Sequence, residues 1–294
     1  MSNPQCPVRR GAVPAERPVA GLPRIAALLY GLGSYVVFLA VFVYLVGFVT
    51  GIAVPRSVDR AIEAQLAQAI IVDVALLAVF ALQHSVMARP AFKRWWNRYV
   101  PAAIERSTYV LLSSAALALV FWQWRTIDVT VWSVGPTPAR LALAVLAAFG
   151  WLTVLAATFM IDHFDLFGLS QVAHFLRAKS QGEKEFREVF AYRLIRHPLL
   201  LGFLIAFWAT PTMTAGHLLF AVTMTAYILI AIPIEERDLA DELGEPYRRY
   251  RERVPALIPG LPRRATLAVR TRGRSPQNGR AGSRPRRRRR AHPN

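Results

Sequence analysis

Ile25 to Ala53 is a run of 29 residues without a formal charge, and a run of that length decides most of what this chain can fold into. As a helix rising about 1.5 Å per residue, it crosses a hydrocarbon core roughly 30 Å thick with some tilt. Lipid offers the backbone no hydrogen-bond partners, so a crossing segment must satisfy its own N–H and C=O groups. The run is not a cleavable signal peptide, for which roughly 7–15 apolar residues suffice, and no small-residue cleavage site follows it. Leu66 to Met87 is a second run, interrupted by Asp73, and Thr108 to Trp124 and Leu141 to Ile161 are a third and a fourth. Pro198 to Ile234 then spans 37 residues in which His217 alone takes a charge near neutral pH.

That last stretch is too long for one crossing. Thr210-Pro211-Thr212 and Ala215-Gly216 offer a break, and the piece before it, Pro198 to Ala209, is short for a full span. The expectation is a tight helical hairpin that enters and returns on one side. The fold class read from these runs is an all-α integral membrane protein. It has four transmembrane helices plus the C-terminal hairpin, a short cytoplasmic helix and a disordered tail. The chain divides into a disordered segment 1–23, a membrane domain 24–260 and a tail 261–294.

Charge agrees with this division. The chain carries a formal +18 yet is 54% hydrophobic, a pairing foreign to disordered chains, which lack apolar side chains to bury. Residues 261–294 hold twelve arginines and no acid, which leaves only +6 for the rest. Such a tail suits anionic lipid or no chemical role at all, and no specific nucleic-acid partner is expected. Basic residues crowd the segment before the first run (Arg9, Arg10, Arg17, Arg24), the second loop (Arg89, Lys93, Arg94, Arg98, Arg106) and the fourth (Arg177, Lys179, Lys184, Arg187, Arg193, Arg196). The first and third loops have Arg56, Arg60, Arg125 and Arg140. The positive-inside rule then puts both termini in the cytoplasm of a multi-pass inner-membrane protein.

Several chemistries are excluded. One cysteine, Cys6, rules out a disulfide framework or a Cys-rich zinc site. The six histidines form no HxxxH or HxxHH box, which excludes membrane di-iron hydroxylases. Gly31-Leu-Gly33 lies inside an apolar run with no preceding strand, so it is no dinucleotide fingerprint.

The stretch Tyr192-Arg-Leu-Ile-Arg-His-Pro-Leu-Leu-Leu-Gly202 carries the chemistry, with Glu235-Glu-Arg-Asp-Leu239 and Gly244-Glu-Pro-Tyr-Arg-Arg-Tyr250 beyond the hairpin. Pro198 suits the first turn of a helix, which puts Arg196 and His197 at a helix N-terminus where an anionic group could dock. Glu235 and Glu236 leave the hairpin on the same side. Cationic and anionic groups brought together in this way suit a zwitterionic amino-acid ligand carrying an extra positive charge.

These elements, RHPxxxG, a hairpin, EExxL, GxxYxxY and Val254-Pro255, resemble the C-terminal signature of the isoprenylcysteine carboxyl methyltransferase superfamily. The chain is similar to its nurim-like branch and, within it, to the bacterial methanethiol S-methyltransferases. Phe80 to Pro90, Ile104 to Tyr109, Asp162 to Leu169 and Gly202 to Met213 carry that likeness. The resemblance covers roughly Arg24 to Pro259. It implies S-adenosylmethionine as methyl donor and methanethiol as acceptor, giving dimethyl sulfide by direct displacement. It also implies cofactor contacts at Tyr192, His197, Pro198 and Glu235, with Arg196 and Glu236 beside them and Tyr247 closing over the site. Where the carboxyl methyltransferases read HPxY this chain has Leu200. Where they carry an arginine four residues before the acid pair it has Ala231, and a small thiol has no prenyl-cysteine carboxylate to bind.

A thiol attacks as its thiolate, so a base or a cationic surround is needed. The candidates are His84 with Gln83, and the cluster Asp162, His163 and Asp165. No metal is called for. Two competing readings stand beside the thiol methyltransferase: a membrane methyltransferase acting on a lipid or isoprenoid acceptor, and a non-catalytic nurim-like membrane protein. Asp73, inside a run, is expected to pair with a polar residue such as Gln68 or Arg106. His217 is expected at an interfacial loop tip. The oligomeric state is open.

Overall fold

The computed structural model describes residues 23–177 and 188–259. The terminal segments read as disordered, 1–23 and 261–294, lie outside the described residues apart from Pro23. Among the described residues, five helices are long and apolar enough to cross a membrane: α1 (Arg24–Thr50), α2 (Leu66–Ala88), α4 (Ala102–Gln123), α5 (Thr137–Ile161) and α9 (Ala215–Leu243). Between them lie the short helices α3 (Pro90–Trp96), α6 (His163–Leu166), α7 (Leu169–Leu176) and α8 (Pro198–Trp208), and α10 (Glu245–Arg253) follows α9. The structure is not purely helical, because β1 (Thr130–Ser133) and β2 (Thr212–Thr214) pair antiparallel with Ser133 opposite Thr212.

The boundaries have local causes. Gly51, at φ 73°, ends α1 in the left-handed region and returns its N–H to the Gly47 carbonyl. Thr214 caps α9 by accepting from the His217 N–H. Gly244, at φ 69°, ends α9, and Pro246 sits in the first turn of α10.

The break expected near 210–216 is present, with α8 ending at Trp208 and α9 starting at Ala215. The hairpin, however, runs the length of the bundle. Its tip meets both loops at the far end: β2 pairs with β1 in the α4–α5 connection, and the Thr214 hydroxyl donates to Asp59 in the α1–α2 connection at 2.5 Å. Ala215 and Gly216 donate their N–H groups to the Val129 and Ile127 carbonyls. Short as it is, α8 packs tightly because glycine meets glycine. A Cβ on Gly202 would lie 2.8 Å from the Gly150 carbonyl oxygen of α5, and one on Gly150 would lie 2.8 Å from that of Gly202. Small residues allow this backbone approach in a medium where lipid competes with any apolar side chain.

Phe48, Val58, Leu77, Val120, Trp124, Phe207 and Phe220 form the main core near the β1–β2 end. Two expectations are corrected there. Asp73 pairs with neither Gln68 nor Arg106; it accepts the backbone N–H of Arg125 at 2.9 Å, because antiparallel packing puts the start of α2 beside the end of α4. His217 is not an interfacial tip residue. It is 1% exposed, and its Nε2 donates to the Phe207 carbonyl at 3.0 Å, which ties the first turn of α9 to the end of α8.

Candidate active site

The opposite end of the bundle gathers the chemistry. Arg196 and His197 precede α8 in an extended segment whose N–H groups donate to the Pro255 and Ala256 carbonyls. The free donors expected at this helix start are therefore fewer. Residues 196 and 197 are already bonded, Pro198 has no N–H, and the Leu201 N–H returns to the His197 carbonyl.

The guanidinium of Arg196 is buried and fully engaged within the protein. Its Nε donates to Glu236 Oε1 at 2.7 Å, a second nitrogen meets the same oxygen at 2.5 Å, and the third bonds the Arg251 and Val254 carbonyls. His197 Nε2 lies 3.2 Å from that same Glu236 oxygen. Arg196 and Glu236 form a buried clamp that holds α8, α9 and the chain after α10 together. A buried pair holds only when hydrogen bonds offset the loss of water, and Arg196 and Glu236 supply them to each other and to two carbonyls.

Glu235 differs from its neighbour. Its side chain is 49% exposed, and His197 Nδ1 lies 3.9 Å from its Oε2. The carboxylate is close enough to the phenols of Tyr109, Tyr192, Tyr227 and Tyr247 to act on all of them electrostatically. Burial pushes the Tyr192 phenol up, and Glu235 and Tyr250 add to the push. Burial also pushes Tyr247 up, with Glu236 adding to it, and raises Tyr250 to about 12 against the pull of Arg196. All three phenols stay protonated near neutral pH and serve as donors and apolar walls. The Tyr250 hydroxyl donates to the Tyr192 carbonyl at 2.6 Å, so α10 closes onto the turn that carries Tyr192. An open carboxylate close to several phenols and next to a buried imidazole is an arrangement that can hold a cationic ligand bearing an aromatic group.

His84 joins this group from α2. Its Nε2 is 3.0 Å from the Tyr109 hydroxyl, and its Nδ1 is 3.3 Å from Ser113 Oγ. Gln83 donates to the same Ser113 oxygen, and its own carbonyl oxygen is buried without a partner. Ser85 donates to Tyr227 at 3.2 Å, and Arg89 pairs with Asp238 at 2.9 Å, so α2 is tied to α9 beside the site.

His163 is placed differently. Thr158 donates its hydroxyl proton to the Leu155 carbonyl, so His163 Nδ1–H must donate to Thr158 Oγ1, and Nε2 accepts from Tyr35 at 2.7 Å. Its ring also stacks on Phe159. Burial holds its pKa below the ordinary value against an opposing pull from Asp162. The tautomer is fixed and neutral, and the ring pins α1 to the end of α5. Asp162 caps α6 by accepting the Asp165 N–H. No hydrogen bond or ring contact links either residue to Glu235 or His84 among the described residues. Tyr109, Ser113 and Tyr227 belong to this group without being among the site candidates that the sequence offers. Their signal was the likeness around residues 104–109 for Tyr109; Ser113 and Tyr227 had none, because a lone hydroxyl in an apolar run has no pattern.

The NnrU protein family model matches residues 73–261. A methanethiol S-methyltransferase of Mycobacterium tuberculosis is 55% identical over 238 residues, 81% of this chain and 98% of that protein. Methanethiol S-methyltransferase 2 of Bradyrhizobium diazoefficiens is 53% identical over 81% of this chain and 92% of its own length. Nurim of Mus musculus is 32% identical over 62% of this chain and 70% of its own length. No solved structure matches. With its membrane-spanning helices, its acid pair and its RHP turn, the chain belongs to the NnrU family, alongside these methanethiol S-methyltransferases and nurims.

Proposed function

We propose that this chain is a membrane thiol S-methyltransferase that converts methanethiol to dimethyl sulfide with S-adenosylmethionine as donor. The observation that carries the reading is 55% identity, across nearly the whole length of the relative, to a protein of that activity. The site geometry supports it. Glu235, His197 and the phenols of Tyr192 and Tyr247 hold the donor, while Arg196, Pro198 and Glu236 shape the turn beneath it. S-adenosylmethionine supplies, when bound, a methyl group on a sulfonium that passes to the thiol sulfur by direct displacement. The chain's contribution is alignment, exclusion of water and removal of the thiol proton.

His84 is the residue suited to that proton. The Ser113 hydroxyl can donate to Nδ1 while Nε2–H donates to Tyr109, or the chain of donors can reverse. A reversible string of hydroxyl, imidazole and hydroxyl passes a proton, whereas the locked tautomer of His163 does not. The site end faces the cytoplasm of the inner membrane in this reading, as the basic loops favour, and so meets a water-soluble donor. The small apolar thiol can arrive through lipid.

The experiment is expression in cells that make no dimethyl sulfide, feeding of methanethiol, and analysis of the headspace gas. Dimethyl sulfide is expected, and its absence while the protein is present in membranes would overturn the assignment.

A further inference from the structure

Arg106 stands out among the cations at the site end. It lies in the second turn of α4, half-buried, with its Nε bonded to the Leu166 carbonyl at 2.9 Å and its guanidinium carbon 5.3 Å from the centre of the Tyr109 ring. No described carboxylate pairs with it. The neighbouring cations are compensated: Arg89 by Asp238, and Arg196 by Glu236. A half-buried guanidinium without a counter-ion is costly unless an anion is to arrive, and this one acts electrostatically on both His84 and Tyr109.

We infer that Arg106 is a positioning residue whose positive field favours the thiolate over the thiol at a sulfur subsite formed by Tyr109, His84 and Ser113. The inference rests on the methyltransferase reading and deepens it by assigning the form of the acceptor that the site binds. The atoms balance: the S–H proton leaves through the His84 relay to water, the sulfur lone pair forms the new S–CH3 bond, and the old C–S bond breaks to leave a neutral thioether.

The charged and titratable groups facing this subsite are Arg89, with Asp238 on it, from α2 and α9; Tyr227 and Glu235 from α9; and Arg106 and Tyr109 from α4. Glu235 opposes an anion here, but a cationic donor seated against that carboxylate offsets it. Among the described residues facing this subsite, Arg106 is the cation without a carboxylate partner. An opposite charge this close to a partly desolvated group moves its ionisation by about 1–2 pH units.

The test is the pH dependence of kcat at saturating methanethiol, which reports ionisations in the bound complex. In the unaltered protein the rising acidic limb should lie at least about one pH unit below the ionisation of free methanethiol in the same buffer. A limb that coincides with the free thiol overturns the inference without requiring any variant to fold. Arg106→Gln should move the limb up by about 1–2 pH units, some 10–100-fold in rate at neutral pH, and leave KM for S-adenosylmethionine within about twofold. Arg106→Lys loses the Nε bond to Leu166 but keeps the charge, and it should hold the limb near its original position. A uniform loss at every pH, or equal failure of the lysine and glutamine variants, would show Arg106 to be a structural tie between α4 and α6. Absence of dimethyl sulfide from the unaltered protein at every pH would sink the methyltransferase reading itself.

Discussion

Glu235 and Glu236 are adjacent acids with opposite duties, and the difference lies in what surrounds each carboxylate. Glu236 is buried against Arg196 and His197, with every near partner inside the protein. Glu235 is half exposed near several phenols, and His197 approaches it at 3.9 Å. Glu235→Gln should therefore raise the S-adenosylmethionine concentration needed for half-saturation by about tenfold or more, the worth of one charge-assisted contact, with little change in thermal stability. Glu236→Gln should do the reverse in kind. It leaves the Arg196 charge buried without a counter-ion, at a cost of about 3–5 kcal/mol, read as a lowered melting temperature in detergent. Equal effects of the two substitutions on stability would erase the distinction.

At the scale of elements, the hairpin owes its placement to two glycines more than to any charged pair. Gly202 of α8 and Gly150 of α5 bring two backbones to contact distance, where an added Cβ meets backbone atoms at 2.8 Å with no flexible side chain to yield. Gly202→Ala should push α8 away from α5 at a cost of about 1–3 kcal/mol. Because α8 begins at the His197–Pro198 turn, activity should fall with stability. A variant with unchanged melting temperature and activity would show that the contact relaxes freely. The RHP element and EExxL were legible as sequence because they are contiguous and charged in an otherwise apolar region. The depth of the hairpin was not, since its tip is held by Asp59, Ile127 and Val129, residues far away in the chain.

Stability of the whole molecule should carry the mark of His163, whose neutral ring joins α1, α5 and α6. Its folded pKa lies below the ordinary 6.5. As pH falls through 6.5 the unfolded chain takes up a proton that the folded chain refuses. The contribution is therefore fully present above about pH 6.5 and is lost as pH drops toward the folded value. Melting temperatures measured from pH 8 to pH 5 should be flat at first and then decline, and His163→Gln should flatten the decline. An unchanged slope in that variant would assign the acid sensitivity to other groups.

Sequence by itself determined the medium, the helical class and the family. Runs of more than twenty uncharged residues have no stable alternative to membrane helices, and the charged motifs between them survive as contiguous words. It also placed His197 and Glu235 at one end of the bundle, since the hairpin's two ends had to meet. Only the tertiary structure decided which of the charged residues are available. Arg196 and Glu236 consume each other in a buried clamp, His163 is locked by Thr158 and Tyr35, and Arg106 has no carboxylate partner among the described residues. The physical reason is that availability is a property of partners. The partners here come from helices separated by tens of residues, at distances that no spacing along the chain encodes.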